Sequence, residues 1–227
     1  ENSSVKFASA STVTNTLTGL SSDIDAAKAA AFIDSTKGDM GLYKSYDDAS
    51  ADYKDWAFTY DQALVAIYYT AVGQQDKAAA LLDVYAGNKL STNNGLFYTG
   101  YDADRGTIVD GYKVQIGANA WIAIAMARYD EAFNTNKYEA TIEQIADGIK
   151  EFQSMNGGIT GGMVGDTEVT WKSTEYNLDS YVLFGYLAAK TNDASYIEAR
   201  KGIADWLVNV AYDKENKRFY RGENDPV

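Results

Sequence analysis

Chemistry in this chain has to run on carboxylates and aromatic side chains, because its 227 residues include no histidine and no cysteine. That removes Ser-His-Asp triads, thiolate nucleophiles, His-ligated zinc and imidazole acid–base catalysis together. Acids in suggestive settings remain. Asp61 follows Tyr60 at the head of an apolar run, Asp110 lies in an aromatic-rich stretch, and Glu175 and Asp179 are four residues apart around Tyr176. An i,i+4 pair shares one helix face. Glycoside hydrolysis needs two such groups, one protonated and one ionised, about 5–5.5 Å apart for retention or 6.5–9.5 Å for inversion. The expected catalytic pair is Glu175 as general acid and Asp61 as base, with Asp110 in reserve. Trp56, Tyr60, Tyr101, Asp110, Trp171, Tyr176 and Asp179 form the expected substrate-binding set, since aromatic faces stack on sugar C–H surfaces and carboxylates grip hydroxyls.

A structural reading of the same residues stands beside this one. Acids at helix starts serve as N-caps and dipole partners, worth about 0.5–2 kcal/mol as caps. Asn119, 58 residues after Asp61, caps equally well. Trp121, inside an apolar run, reads as core, whereas Trp56 and Trp171 stand among polar loop residues and read as binding groups. Tyr101-Asp-Ala-Asp-Arg-Gly106 begins like a calcium loop but lacks the remaining ligands and the terminal Glu. The five glycines between Gly157 and Gly165 have no Lys-Ser/Thr after them, so they suit a tight turn better than a phosphate loop. No metal or cofactor is expected.

These residues have to be positioned by helices. Segments 59–72, 117–129 and 177–189 are apolar almost all round, as in helices surrounded by protein. Segments 22–35, 75–86, 138–152 and 195–210 are amphipathic; in 138–152, Tyr138, Ile142, Ile145, Ile149 and Phe152 recur at steps of four and three. Ser22 and Asp25 read as a capping box for the first of them. Asp61, Asn119 and Asn177 recur every 58 residues, and a Gly/aromatic turn follows each amphipathic segment. A period of this length marks stacked helix pairs, none of which can bury its apolar face alone. With a single proline, Pro226, nothing interrupts the helices. The expected fold is all-α: a toroid-like array of buried inner and amphipathic outer helices over residues 21–227, preceded by a Ser/Thr-rich segment over 1–20.

Tyr60-Asp-Gln-Ala-Leu64, Gly117-Ala-Asn-Ala-Trp121 and Trp171-Lys-Ser-Thr-Glu-Tyr-Asn-Leu-Asp179, with the Gly-rich turns, resemble the six-hairpin glycosidase-like superfamily of (α/α)6 toroids. The resemblance covers roughly residues 20–225. It implies a sugar site at the mouth formed by the starts of the inner helices. Sugar epimerases of this fold depend on histidine, which this chain lacks. The stretch around Asn119 is also similar to endo-mannanases of the superfamily, but their adjacent Asp pair has no counterpart there; Asp47-Asp48 lies elsewhere. Three inner and four outer helices make about half of a closed ring. The expectation is therefore a missing half, supplied by the rest of a longer chain or by a second copy, and the ending Arg221–Val227 inside what reads as an interhelical loop favours a longer chain.

Twenty Lys plus Arg against 32 Asp plus Glu leave a formal charge of −12. No basic cluster offers a footprint for nucleic acid, and no stretch approaches the ~20 apolar residues of a membrane span. The acidic surface would also repel anionic substrates. A chain opening on Glu1 and then Ser/Thr-rich reads as a secreted or cell-surface bacterial protein after processing, or as a cloning boundary. The function expected is a glycoside hydrolase acting on a neutral oligo- or polysaccharide, with a non-catalytic glycan-binding or surface module as the alternative. A lyase or cyclase is disfavoured, because no Asp-rich diphosphate motif is present.

Overall fold

Alternation between wholly apolar and one-sided helices is realised as two layers. The computed structural model describes residues 26–46 and 53–224. Segment 1–20, the Ser22/Asp25 pair and Asp47-Asp48 lie outside the described residues. Among the described residues there are seven α-helices: α1 (Ala26–Ser35), α2 (Thr59–Ala71), α3 (Gln75–Ala86), α4 (Ile116–Phe133), α5 (Glu139–Lys150), α6 (Thr174–Thr191) and α7 (Ala194–Trp206). The inner layer is α2, α4 and α6. Helix α4 packs against both its inner neighbours, and Ile116–Ala120 and Ile122–Ala127 are buried without a break. That is why its sequence shows no polar face. In the outer layer, α5 turns Ile142, Ile145 and Ile149 inward and leaves Asp147 in water. The structure starts α6 at Thr174 rather than at 177, because the Ser173 hydroxyl accepts the Tyr176 N–H and caps the helix earlier.

Each inner helix is tied to the turn before it by one buried carboxamide. Asn119 Oδ1 accepts the Phe97 N–H at 2.8 Å while its Nδ2 donates to the Phe97 carbonyl at 2.9 Å. Asn177 does the same to Ile159, at 2.7 and 3.0 Å. In the first repeat the clamp is Gln62 on Tyr43, at 2.7 Å in both directions. The residue that matches Asn119 and Asn177 is therefore Gln62, not Asp61. Nor are these side chains caps: the residues preceding α2 and α4 are Phe58 and Gln115, with no side-chain cap bond. All three amides are fully buried, where a satisfied amide fixes geometry and an unsatisfied one would be costly.

Neighbouring repeats are joined through short strands that an all-helical reading does not anticipate. Among the described residues the loops carry twelve strands of two or three residues. β1 (Trp56–Phe58) pairs antiparallel with β4 (Gly100–Asp102), β6 (Lys113–Gln115) with β7 (Gly162–Val164), and β9 (Lys172–Ser173) with β12 (Gly222–Glu223). In each pair the residue just before an inner helix faces a glycine of the next repeat: Phe58 on Gly100, Gln115 on Gly162, Ser173 on Gly222. At Gly162, φ is +116° and a Cβ would lie 2.0 Å from the Val114 carbonyl oxygen, so only glycine fits. The first N–H of each inner helix then donates into the next repeat: Thr59 to Thr99 O, Ile116 to Gly161 O and Thr174 to Arg221 O. Orphan donors at the helix starts are thereby satisfied, and the helix mouths are held side by side.

Removing a clamp tests its role. Asn119→Ala leaves the Phe97 N–H and carbonyl buried without their partner and is expected to cost about 2–4 kcal/mol, read as a lowered midpoint in urea unfolding.

Candidate active site

The inner helices start around a cleft of about 560 Å³. α2 contributes Tyr60 and Asp61 from its first turn, with Phe58 from β1. α4 contributes Gly117, Ala118 and, one turn later, Trp121, with Gln115 from β6. α6 contributes Glu175, Tyr176 and, one turn later, Asp179. Tyr46, Thr99 and Asp110 close the rim from loops. Loops on a rigid scaffold supply walls, and helix ends supply the floor. Gly117 has no side chain for a packing reason, since a Cβ there would lie 2.3 Å from the Tyr176 ring. Asp110 is presented by three successive residues in the left-handed region, Asp110, Gly111 and Tyr112, at φ of 63°, 66° and 59°. Such backbone costs of order 1–3 kcal/mol per non-glycine residue and persists where the surroundings enforce it; here the Gly165 N–H donates to the Tyr112 carbonyl and Lys113 Nζ donates to Asp110 Oδ1 at 3.0 Å.

Four carboxylates line the cleft and no lysine or arginine does. Asp179 is the perturbed one. Burial, and then the charge of Glu175 on the same face, push its carboxyl up to about 7, against a weaker opposing effect of the Trp121 indole. Among the described residues its Oδ2 has no well-aligned hydrogen-bond partner, and the same holds for Trp121 Nε1 and Thr99 Oγ1; these are three of six such buried atoms, and all three line this cleft. Tyr60 sits among the acids. Burial and then Glu175, Asp179 and Asp61 raise its phenol, and burial with Glu175 and Asp179 does the same to Tyr176. Both phenols stay protonated and able to donate near neutral pH. Tyr60 meets Trp121 edge-on at 5.6 Å, which gives the floor an aromatic ridge.

Of the nine residues proposed from sequence, Asp61, Glu175, Tyr60, Asp110, Tyr176 and Asp179 line the cleft together. Trp56, Tyr101 and Trp171 do not. Tyr101 is fully buried, its hydroxyl donating to Ser91 O and accepting the Tyr98 N–H. Trp56 backs the wall by packing edge-on against Phe58 at 5.8 Å, and Trp171 backs it by packing on Tyr176 at 5.6 Å. Trp121, read as core, is half-buried and part of the floor. Phe58, Thr99 and Gln115 were not singled out; the signal that marks Phe58 and Gln115 is their place one residue ahead of an inner helix. The Asp102 carboxylate is spent on its own turn, accepting the N–H groups of Asp104 and Arg105 and the Arg105 guanidinium. Among the described residues no cluster of His, Cys, Asp or Glu could hold a metal ion.

No protein-family model matches the chain, and no curated protein matches its sequence. Solved structures do. The chain is similar to cellobiose 2-epimerase from Bacillus thermoamylovorans, with a TM-score of 0.73 and 14% identity over 86% of this chain and 56% of that one. It is similar to a D-mannose isomerase, with a TM-score of 0.71 and 16% identity over 86% and 57%. The family 8 endoglucanase of Klebsiella pneumoniae matches at 0.62 and 14% over 82% and 59%. These are (α/α)6 toroids, and the chain has their fold while spanning less than two thirds of their length.

The raised Asp179 carboxyl also bears on stability. The folded state favours its proton, so ionising it costs stability that accumulates as pH climbs from the ordinary carboxylate range through about 7. Asp179→Asn is therefore expected to raise the melting temperature at pH 8 by about 2–4 °C, the scale of ~1 kcal/mol in a domain of this size, and to leave it unchanged near pH 3. Calorimetric scans at the two pH values check both halves.

Proposed function

We propose that the cleft is the active site of a carbohydrate-active enzyme, a glycoside hydrolase that cleaves a neutral glycan with two carboxyl groups. The observation that carries this reading is an aromatic cleft that holds Asp61, Glu175 and Asp179 together, with the Asp179 carboxyl pushed up to about 7 by burial and by Glu175. Separated carboxyl environments of this kind divide acid from base. Asp179 is the general acid, a role that sequence alone assigned to Glu175. Its proton passes to the glycosidic oxygen as the bond to the anomeric carbon breaks. Asp61, on the inner helix across α4, is the base that takes a proton from the water adding to the anomeric carbon, and burial together with the charge of Glu175 keeps the proton on Asp179. Tyr60, Tyr176 and Trp121 present faces and donors to the sugar, and the absence of a lining cation fits an uncharged ligand. A secreted or cell-surface location in a bacterium suits a polymeric substrate. The matched structures include an epimerase and an isomerase as well as glycosidases, but without histidine an imidazole-based exchange at carbon has no residue to run on in this chain.

Turnover of a panel of neutral oligosaccharides by the protein and its variants tests the reading. Asp61→Asn and Asp179→Asn are each expected to lower kcat by about 10²–10⁴-fold, and wild-type activity is expected to fall as pH rises past about 7, where Asp179 gives up its proton. Glycan binding without turnover, unaffected by both substitutions, would make the protein a binding module instead. An active Asp179→Asn with an inactive Glu175→Gln would return the acid role to Glu175.

Further helices are proposed to close the ring, from the rest of a longer chain or from a second copy. What supports this is the exposure of Leu64 on α2 and Leu178 on α6, the two inner helices flanking α4. Native mass spectrometry of the protein from its source is expected to show a longer chain or a stable dimer; a lone 24.8 kDa monomer would refute it.

A further inference from the structure

The floor of the cleft contains a hydrogen-bond donor and an acceptor that have no well-aligned partner among the described residues. Trp121 Nε1 and Asp179 Oδ2 are both shielded from solvent and both unpartnered. Buried atoms of this sort are rare, since leaving one unpaired costs about 1–3 kcal/mol. The two are complementary, an N–H and a carboxyl oxygen. They sit one turn into α4 and one turn into α6, two helices packed directly against each other. The indole N–H is near enough to act on this carboxyl as a hydrogen bond, in the direction that favours its charged form, although the pair is not well aligned.

No other group around Asp179 acts on its carboxyl as a hydrogen-bond donor. Glu175, on α6 itself, opposes ionisation. From α2 come the Asp61 carboxylate and the Tyr60 phenol, and from α6 the Tyr176 phenol, itself raised by both acids. Asp110, on the rim, is already engaged by Lys113. No lysine or arginine lines the cleft. Of the donors around the cleft, the Trp121 indole is the one that acts on the Asp179 carboxyl as a hydrogen bond.

We infer that Trp121 is a positioning residue for Asp179: the contact from its indole N–H tightens into a full hydrogen bond when the Asp179 proton leaves, and so holds the carboxylate that remains. On a protonated carboxyl that contact is weak, and neither atom has a well-aligned partner among the described residues. The balance is simple. One proton leaves Asp179 for the departing oxygen of the substrate, one negative charge stays behind, and the Trp121 N–H is shared but not transferred. The ring itself is held by its edge contact with Tyr60. The catalytic consequence rests on Asp179 being the general acid, but the hydrogen bond does not, so the two can fail separately.

The test follows the carboxyl carbon of Asp179 and the indole Hε1 of Trp121 by NMR across pH 4–9. In the wild-type protein the indole resonance is expected to move downfield with the same midpoint as Asp179, and in Asp179→Asn to stay flat. Trp121→Phe keeps an aromatic ring and removes the donor; it is expected to raise the Asp179 midpoint by about one pH unit, the equivalent of one hydrogen bond to the charged form. An indole that does not titrate in the wild type, or an Asp179 midpoint unchanged in Trp121→Phe, overturns the inference. The wild-type indole readout stands even if Trp121→Phe fails to fold. If the wild-type protein cleaves no glycan, the hydrolase reading fails while these titrations still decide the Trp121 contact.

Discussion

One buried carboxamide per repeat, bonding the N–H and the carbonyl of a single turn residue, is the constraint on which this architecture depends. It welds the turn that leaves an outer helix to the first turns of the next inner helix, at Tyr43–Gln62, Phe97–Asn119 and Ile159–Asn177. A backbone amide pair at such a turn would otherwise be stranded away from both water and secondary structure. Short strands then bond each repeat to the next. The starts of α2, α4 and α6 are fixed relative to one another by these two sets of bonds, and they carry every helical residue of the cleft.

The electrostatic character of the cleft follows from that placement. Helix starts converge there, and with them the acidic residues that sequences favour at such positions. Four acids enter one concavity without a cation among its lining residues. Asp179 lies deeper than Glu175 because it is one turn further along α6, and depth makes its proton hard to remove while Glu175 remains exposed. Two carboxyl groups on one helix face thus acquire different environments from a single turn of spacing.

Much of this was legible in the residues. Periodicity placed the seven helices because the inner layer is surrounded by protein, so its segments are apolar all round, while the outer layer shows one wet face. The acids at the helix starts could be read as a group because they recur with the helices. What escaped notice has physical reasons. Strands of two or three residues are too short to display a period. The clamp in the first repeat is a glutamine, whose longer side chain reaches from position 62 to do what asparagine does at 119 and 177, so the repeat looked as though it ran through Asp61. Tyr101 reads as a sugar-binding aromatic, but its hydroxyl finds two backbone partners and its ring can therefore be buried. Trp121 reads as core, because nothing in an apolar run reveals that one flank of the helix faces an opening.

The clamps also divide the chain into two kinds of segment. The clamped residues are 19, 22 and 18 positions apart in sequence, so the chain between them is a closed excursion pinned at both ends. Lengthening such an excursion adds little to its closure entropy, which grows only with the logarithm of its length. Within the 22-residue excursion, Thr99 and Asp110 line the cleft from its rim, whereas Asp179 and Trp121 lie beyond the clamps on the helices. Rim and floor can therefore diverge independently: the walls that select a ligand are free to be rewritten by insertion, while Asp179 and Trp121 beneath them keep their positions.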